Sequence, residues 1–148
     1  MDGILSAARS HGVEVAYINR SSSLEAGGIR IQAFTASNDG ERNNALALRL
    51  GLGDCEAFIP GDISMAEERR ISREQALENT EILVVGRHGS ASAGSELMLW
   101  ELNGSIALIS AGYNNFGCPE EETLERLSSC GYNIYRTDKD GTVEIRIS

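Results

Sequence analysis

The sequence predicts an α/β domain, and three observations carry that prediction. Short apolar runs of strand length recur from one end of the chain to the other. Between the later runs lie segments with helix-start and helix-stop residues. No internal repeat or low-complexity tract interrupts the alternation. At 148 residues with 41% hydrophobic content, a single domain over 1–148 buries roughly 70% of the surface its unfolded chain would expose, so one core suffices.

Taken in order, Leu5 to Ser10 closes a helix, and Val13-Glu14-Val15-Ala16-Tyr17-Ile18 alternates like a half-buried strand. Gly27-Gly28 turns the chain into Ile29 to Phe34, a second alternating run, and Asn38-Asp39-Gly40 marks a loop. Ala45 to Leu50 and Glu56 to Ile59, joined across Gly51-Leu52-Gly53-Asp54, read as a hairpin. These four strands form a meander. Helix follows from about Met65 to Asn79, opened by a capping box in which the Ser64 hydroxyl accepts from the Glu67 amide and Glu67 reaches back. Next come strand Ile82 to Val85, helix Ser95 to Leu102, strand Ser105 to Ser110, helix Pro119 to Cys130 stopped by Gly131, and strand Asn133 to Arg136. A last strand, Thr142 to Ile147, is entered through the turn Asp138-Lys139-Asp140-Gly141.

Charge and composition exclude several classes. Thirteen basic residues against twenty-two acidic ones give a net charge of −9, which weighs against gripping nucleic acid by bulk electrostatics. No run approaches the roughly 18 apolar residues of a membrane span, and the first twenty residues lack signal-peptide features. The chain is expected to be soluble; its compartment is not encoded here. The three cysteines, Cys55, Cys118 and Cys130, lack zinc-ribbon spacing and read as thiols, with Cys55 and Cys130 as packing residues.

The chemistry concentrates where two strands end. The run Cys55 to Pro60 delivers Gly61-Asp62, and the run Glu81 to Val85 delivers Gly86-Arg87-His88-Gly89-Ser90. Each has a small residue that lets the backbone turn sharply. If the strands are neighbours, Asp62 and His88 converge.

The order Asn43-Asn44-Ala45-Leu46-Ala47-Leu48-Arg49-Leu50, Gly61-Asp62, Val85-Gly86-Arg87-His88-Gly89-Ser90, Ile109 to Pro119, and Tyr135 to Gly141 resembles the metallo-β-lactamase-like hydrolase domain at the C-terminus of ComEC-type competence proteins. The resemblance runs from roughly Val13 to the end. It implies the C-terminal half of an αββα sandwich, a mixed sheet flanked by helices. It also implies a two-metal zinc site acting on DNA phosphodiesters during DNA uptake, in a membrane-associated parent. The departures are specific. The family's His-x-His-x-Asp-His motif has no counterpart, since His11 and His88 are the two histidines of the chain. Arg87 replaces the first of a His pair, Cys118 replaces a His before proline, and Val84 stands where a lysine is common.

Each candidate has a functional and a plainer reading. Asp62 is the metal-bridging carboxylate of the resemblance, or a negative charge favoured near a helix N-terminus. His88 is a ligand of the second metal, or a half-exposed loop histidine. Cys118 adds a thiolate, or precedes a proline at the first helical position. Arg87 pairs with Asp62 in the space of a metal, or is solvated. Ser90 and Ser92 lie in a flexible loop able to offer amides and hydroxyls to a phosphate. Asn114 and Asn115 line the site, or simply make a turn. His11 caps a helix C-terminus, and Glu120-Glu121-Glu122 answers a helix dipole.

The expectation is therefore part of a ComEC-like, metal-dependent hydrolase domain, with catalytic and metal roles for Asp62 and His88, inactive in isolation because most zinc ligands are absent. Zinc follows from the resemblance, and the chain by itself is compatible with none. The alternative is a non-catalytic dimerisation or partner-binding module. The missing half would leave an apolar sheet face that a second copy, or the absent N-terminal half, must cover.

Overall fold

A computed structural model of the chain describes residues 2–17, 21–35 and 45–147. Helix α1 (Asp2–Ser10) comes first, followed by a seven-stranded sheet whose strands lie side by side in chain order. They are β1 (Ser22–Ala26), β2 (Ile29–Thr35), β3 (Leu46–Leu52), β4 (Cys55–Ile59), β5 (Ile82–Val84), β6 (Ile106–Ile109) and β7 (Asn133–Arg136). The first four are an antiparallel meander and the last four are parallel. The parallel strands are joined by α2 (Met65–Glu74), α3 (Glu96–Leu102) and α4 (Glu121–Ser129), and a short helix, α5 (Thr137–Asp140), follows β7. The sheet is mixed and flanked by helices, as the sequence predicts.

Because each parallel strand is the immediate neighbour of the one before, right-handed crossovers carry all three connecting helices to one face. The register agrees. Phe34 lies opposite Ala47, and Phe58, Leu83 and Ala107 lie side by side. All five are buried in one core with Ile71 of α2, Leu99 and Leu102 of α3 and Leu127 of α4. The other face carries an apolar row across six strands, Leu24, Ile31, Leu50, Ala57, Ile82 and Ile106. Ile147 from the C-terminal segment shares a cleft of about 200 Å³ with part of that row.

Local chemistry explains the boundaries. The Ser64 and Ser95 hydroxyls accept from the Glu67 and Met98 amides, 3.3 and 3.4 Å away, and so start α2 and α3. The Glu67 carboxylate pairs with Arg70. Helix α2 stops at Glu74, not near Asn79, because Gln75 is already extended. Beyond it the Arg49 guanidinium binds the Ala76 and Glu78 carbonyls that a longer helix would use. At α3's end Asn103 takes a left-handed conformation, and the Tyr132 hydroxyl bridges the turn beyond it, donating to the Leu99 carbonyl and accepting from the Gly104 amide.

Further expectations need correction. Residues 13–17 are exposed and form no strand, since alternation without a partner strand does not make one; Ile18 lies outside the described residues, as do Asn38-Asp39-Gly40, Asn43 and Asn44. The first strand is instead Ser22–Ala26, folded onto β2 through Gly27 and Gly28, both at positive φ. The segment after β7 is not a turn into a strand. Asp140 accepts from the Arg136 amide and Asp138 holds the Arg136 guanidinium, which winds 137–140 into a helical turn, and 141–147 has no strand. Helix α4 begins at Glu121 with Glu120 as its N-cap, so Pro119 lies outside the helix.

Candidate functional site

The parallel strands bring their C-terminal ends to one edge of the sheet, where ligands of open α/β sheets are generally held. The turn Gly61-Asp62 leaves β4, the turn Gly86–Gly89 leaves β5, and the loop 110–119 leaves β6. These connections are locked together by backbone contacts. The Arg87 amide donates to the Gly61 carbonyl at 3.0 Å, and the Glu120 amide to the Gly89 carbonyl at 2.9 Å. A Cβ on Gly86 would meet the Gly61 oxygen at 2.9 Å, and one on Gly89 would meet the Pro119 Cβ at 2.6 Å. Glycine is required at both positions for the segments to approach this closely.

Between those glycines Arg87 and His88 are both left-handed, with φ of 49° and 53°. Holding two non-glycine residues there costs on the order of 1–3 kcal/mol each. The conformation turns both side chains into solvent. The His88 Nδ1 lies 2.8 Å from the Ser110 carbonyl oxygen. A carbonyl only accepts, so Nδ1 carries the proton and Nε2 of the neutral ring has an open lone pair. That is the tautomer and orientation a histidine ligand takes when a backbone carbonyl fixes its other nitrogen.

His88 opens onto a pocket of about 570 Å³ shared with Ser110, Tyr113, Asn114, Phe116 and Cys118. Its size falls in the range of roughly 300–1,000 Å³ usual for small-molecule sites. The pocket thus gathers three of the sequence candidates, His88, Cys118 and Asn114. Asp62 is not among its lining residues; it is exposed on the adjoining turn. Arg87 is exposed as well, and among the described residues no ion pair joins it to Asp62.

Asn114 lines the pocket and also makes its own turn. Its amide donates to the Gly112 and Cys118 carbonyls at 2.9 and 2.7 Å, and its oxygen accepts from the Phe116 and Cys118 amides at 3.0 and 3.2 Å. The side chain is spent on bracing its own loop. Asn115 is exposed and does not line the pocket. The base of the loop is pinned by Thr137, whose hydroxyl accepts from the Ala111 amide and donates to the Ala111 carbonyl.

The segment from Ser90 to Ser95 is braced, where the sequence suggested a flexible phosphate loop. Ser90 and Ser92 pair with each other at 3.0 Å, and the Ala91 amide donates to Glu120. Glu68, 1% exposed, accepts from the Gly94 and Ser95 amides at 3.1 and 2.7 Å. Arg126 donates to the Ala91, Ala93 and Gly94 carbonyls from the opposite side. Burial pushes the Glu68 carboxyl above its ordinary range, against the pull of those amides and of Arg126. Sequence reasoning missed Glu68, Arg126, Ser110 and Thr137, whose partners lie 22 or more residues away in the chain.

Zinc is the metal the resemblance implies. A structural zinc takes four protein ligands and a catalytic one about three plus water. Among the described residues no three His, Cys, Asp or Glu side chains come together as a metal-holding group. The described residues therefore do not fit a zinc site by themselves. The three thiols are free of disulfides; burial raises those of Cys55 and Cys130, and Cys130 packs against the core. Among the described residues no helix is long and apolar enough to cross a membrane.

No protein-family model matches the chain. It is similar to the ComE operon protein 3 of Bacillus subtilis (strain 168), 28% identical over 147 residues, which is 97% of this chain and 19% of that protein. It is similar to the uncharacterized protein YcaI of Escherichia coli (strain K12), 29% identical over 126 residues, covering 82% of this chain and 17% of that protein. The competence protein ComA of Neisseria gonorrhoeae is 27% identical over 109 residues, 72% of this chain and 16% of its own length. The chain spans less than a fifth of the length of these relatives.

Proposed function

We propose that this chain is the C-terminal part of a metallo-β-lactamase-like, ComEC-type hydrolase domain that serves DNA uptake, and that its contribution to a metal-dependent phosphodiester site is His88, with Asp62 and Cys118 nearby. The single observation behind the reading is the His88–Ser110 contact, which leaves Nε2 open at the mouth of a pocket on the C-terminal edge of the sheet. Similarity to a relative named a competence protein supports the biological setting. The remaining ligands come from outside these 148 residues, so the isolated chain does not turn over.

The test is a zinc titration of the chain followed by NMR of its histidine rings, with a model phosphodiester assayed alongside. Zinc is expected to shift the His88 Nε2 resonance, the signal assigned by its loss in His88→Ala, with weak affinity, and no cleavage occurs. A His88 ring indifferent to millimolar zinc sinks the metal reading. Zinc-dependent cleavage by the isolated chain that disappears in Asp62→Ala overturns the claim of inactivity.

The apolar row on the outer face of the sheet favours a second reading, a non-catalytic module that dimerises or docks on a partner through that face. Sedimentation velocity separates the two: a dimer that Leu50→Lys dissolves, with no zinc response at His88, selects the module.

A further inference from the structure

We infer that Tyr113 and Phe116 form a stacking platform for the unpaired bases of single-stranded DNA beside His88. The polymer class rests on the hydrolase reading above, which this inference deepens by naming the strandedness of the substrate and the residues that recognise it.

Tyr113 is 101% exposed and Phe116 87% exposed. Large aromatic rings this bare are usually there to be covered by something. The loop that carries them is braced by the four hydrogen bonds of Asn114 and pinned by Thr137 at its base. The backbone is thus set before a ligand arrives, and each ring has only two side-chain torsions to fix, so little entropy opposes binding. Both rings line the pocket that His88 opens onto.

Charge selects the occupant. The chain has twenty-two acidic residues against thirteen basic ones, yet no acidic residue is among those lining this pocket. Arg87, the chain neighbour of the lining residue His88, is exposed and without an ion pair among the described residues. An aromatic pair beside a guanidinium and an imidazole matches a base joined to a phosphate: rings take the flat face of the base, and the cation takes the backbone. Paired bases in a duplex present only their edges, so the platform discriminates in favour of an unpaired strand.

The experiment is an anisotropy titration of fluorescein-labelled oligothymidylate at low salt. Controls are a duplex of equal length and an abasic sugar-phosphate strand. Tyr113→Ala and Phe116→Ala are each expected to weaken oligothymidylate binding about tenfold, with Tyr113→Trp restoring it. The duplex and the abasic strand should bind no better than oligothymidylate binds the doubly substituted chain. Equal binding by both alanine variants, or abasic binding as tight as oligothymidylate, overturns the inference. The zinc response of His88 is read on the same samples. Loss of that response with stacking intact removes the hydrolase reading alone, and the converse removes the platform alone.

Discussion

The His88 imidazole and the Ser110 carbonyl meet at 2.8 Å across the ends of two neighbouring parallel strands, β5 and β6. This contact fixes which ring nitrogen holds the proton. Nitrogen-15 spectra of the imidazole should therefore report the Nδ1–H tautomer for neutral His88. A dominant Nε2–H form would mean that the lone pair faces inward and that the ring is unavailable as a ligand through Nε2.

Gly89 and Gly117 have nearly the same φ, 79° and 77°, but different surroundings. At Gly117 nothing lies within 4 Å of an added methyl, so alanine there meets only the left-handed penalty, about 1–2 kcal/mol. At Gly89 the methyl also strikes Pro119, adding about 1–3 kcal/mol for overpacking. Urea denaturation should rank Gly89→Ala clearly below Gly117→Ala, and equal midpoints would remove the close approach as a structural constraint.

Glu68 makes a pH-dependent contribution with a definite sign. Its folded carboxyl is raised above the ordinary value of 4.5, chiefly by burial. The folded state then holds the proton more tightly than the unfolded state. Stability from this group is complete below 4.5 and declines as pH rises through the raised folded value. Denaturation of the native chain and Glu68→Gln between pH 4.5 and neutrality should show the native chain losing ground to the variant. A native chain that gains on the variant would mean that Arg126 and the two amides outweigh burial.

Tyr132 gives the alkaline counterpart. Burial pushes its hydroxyl up to about 12 from an ordinary value of 10. Stability from it is full below pH 10 and disappears as pH climbs toward 12. In a spectrophotometric titration one of the four tyrosines should ionise late. Tyr132→Phe leaves the Gly104 amide without its 3.3 Å partner, at a cost of about 1–3 kcal/mol. A variant as stable as the native chain would show that water replaces the hydroxyl.

Much of this frame is legible in the sequence because the signals are local. Ser64 and Ser95 announce two helices by their own hydroxyls, and the apolar runs at Ile82 and Ile106 are short, uninterrupted and flanked by turn residues. Strand β1 is not legible: Ser22-Ser23-Leu24-Glu25-Ala26 has little apolar density and too short an alternation, and it is a strand because β2 pairs with it. At the site, the glycines around His88 were informative because they act on their own backbone. Asn114 fits a turn or a binding site equally by type, and it braces its loop because carbonyls two and four residues away point at its amide. Glu68 carries no local signal of its role, since the amides it binds come 26 and 27 residues later.

The glycine-locked crossing of the three turns has an evolutionary consequence. Its geometry depends on Gly86, Gly89 and main-chain atoms, while Arg87 and His88 protrude from it with no packing duty. Scaffold and chemistry are thereby under largely separate selection. Substitution at 87 or 88 by residues that accept left-handed backbone can rewrite the reactivity of this edge, whereas drift at the neighbouring glycines is purged whatever the site does.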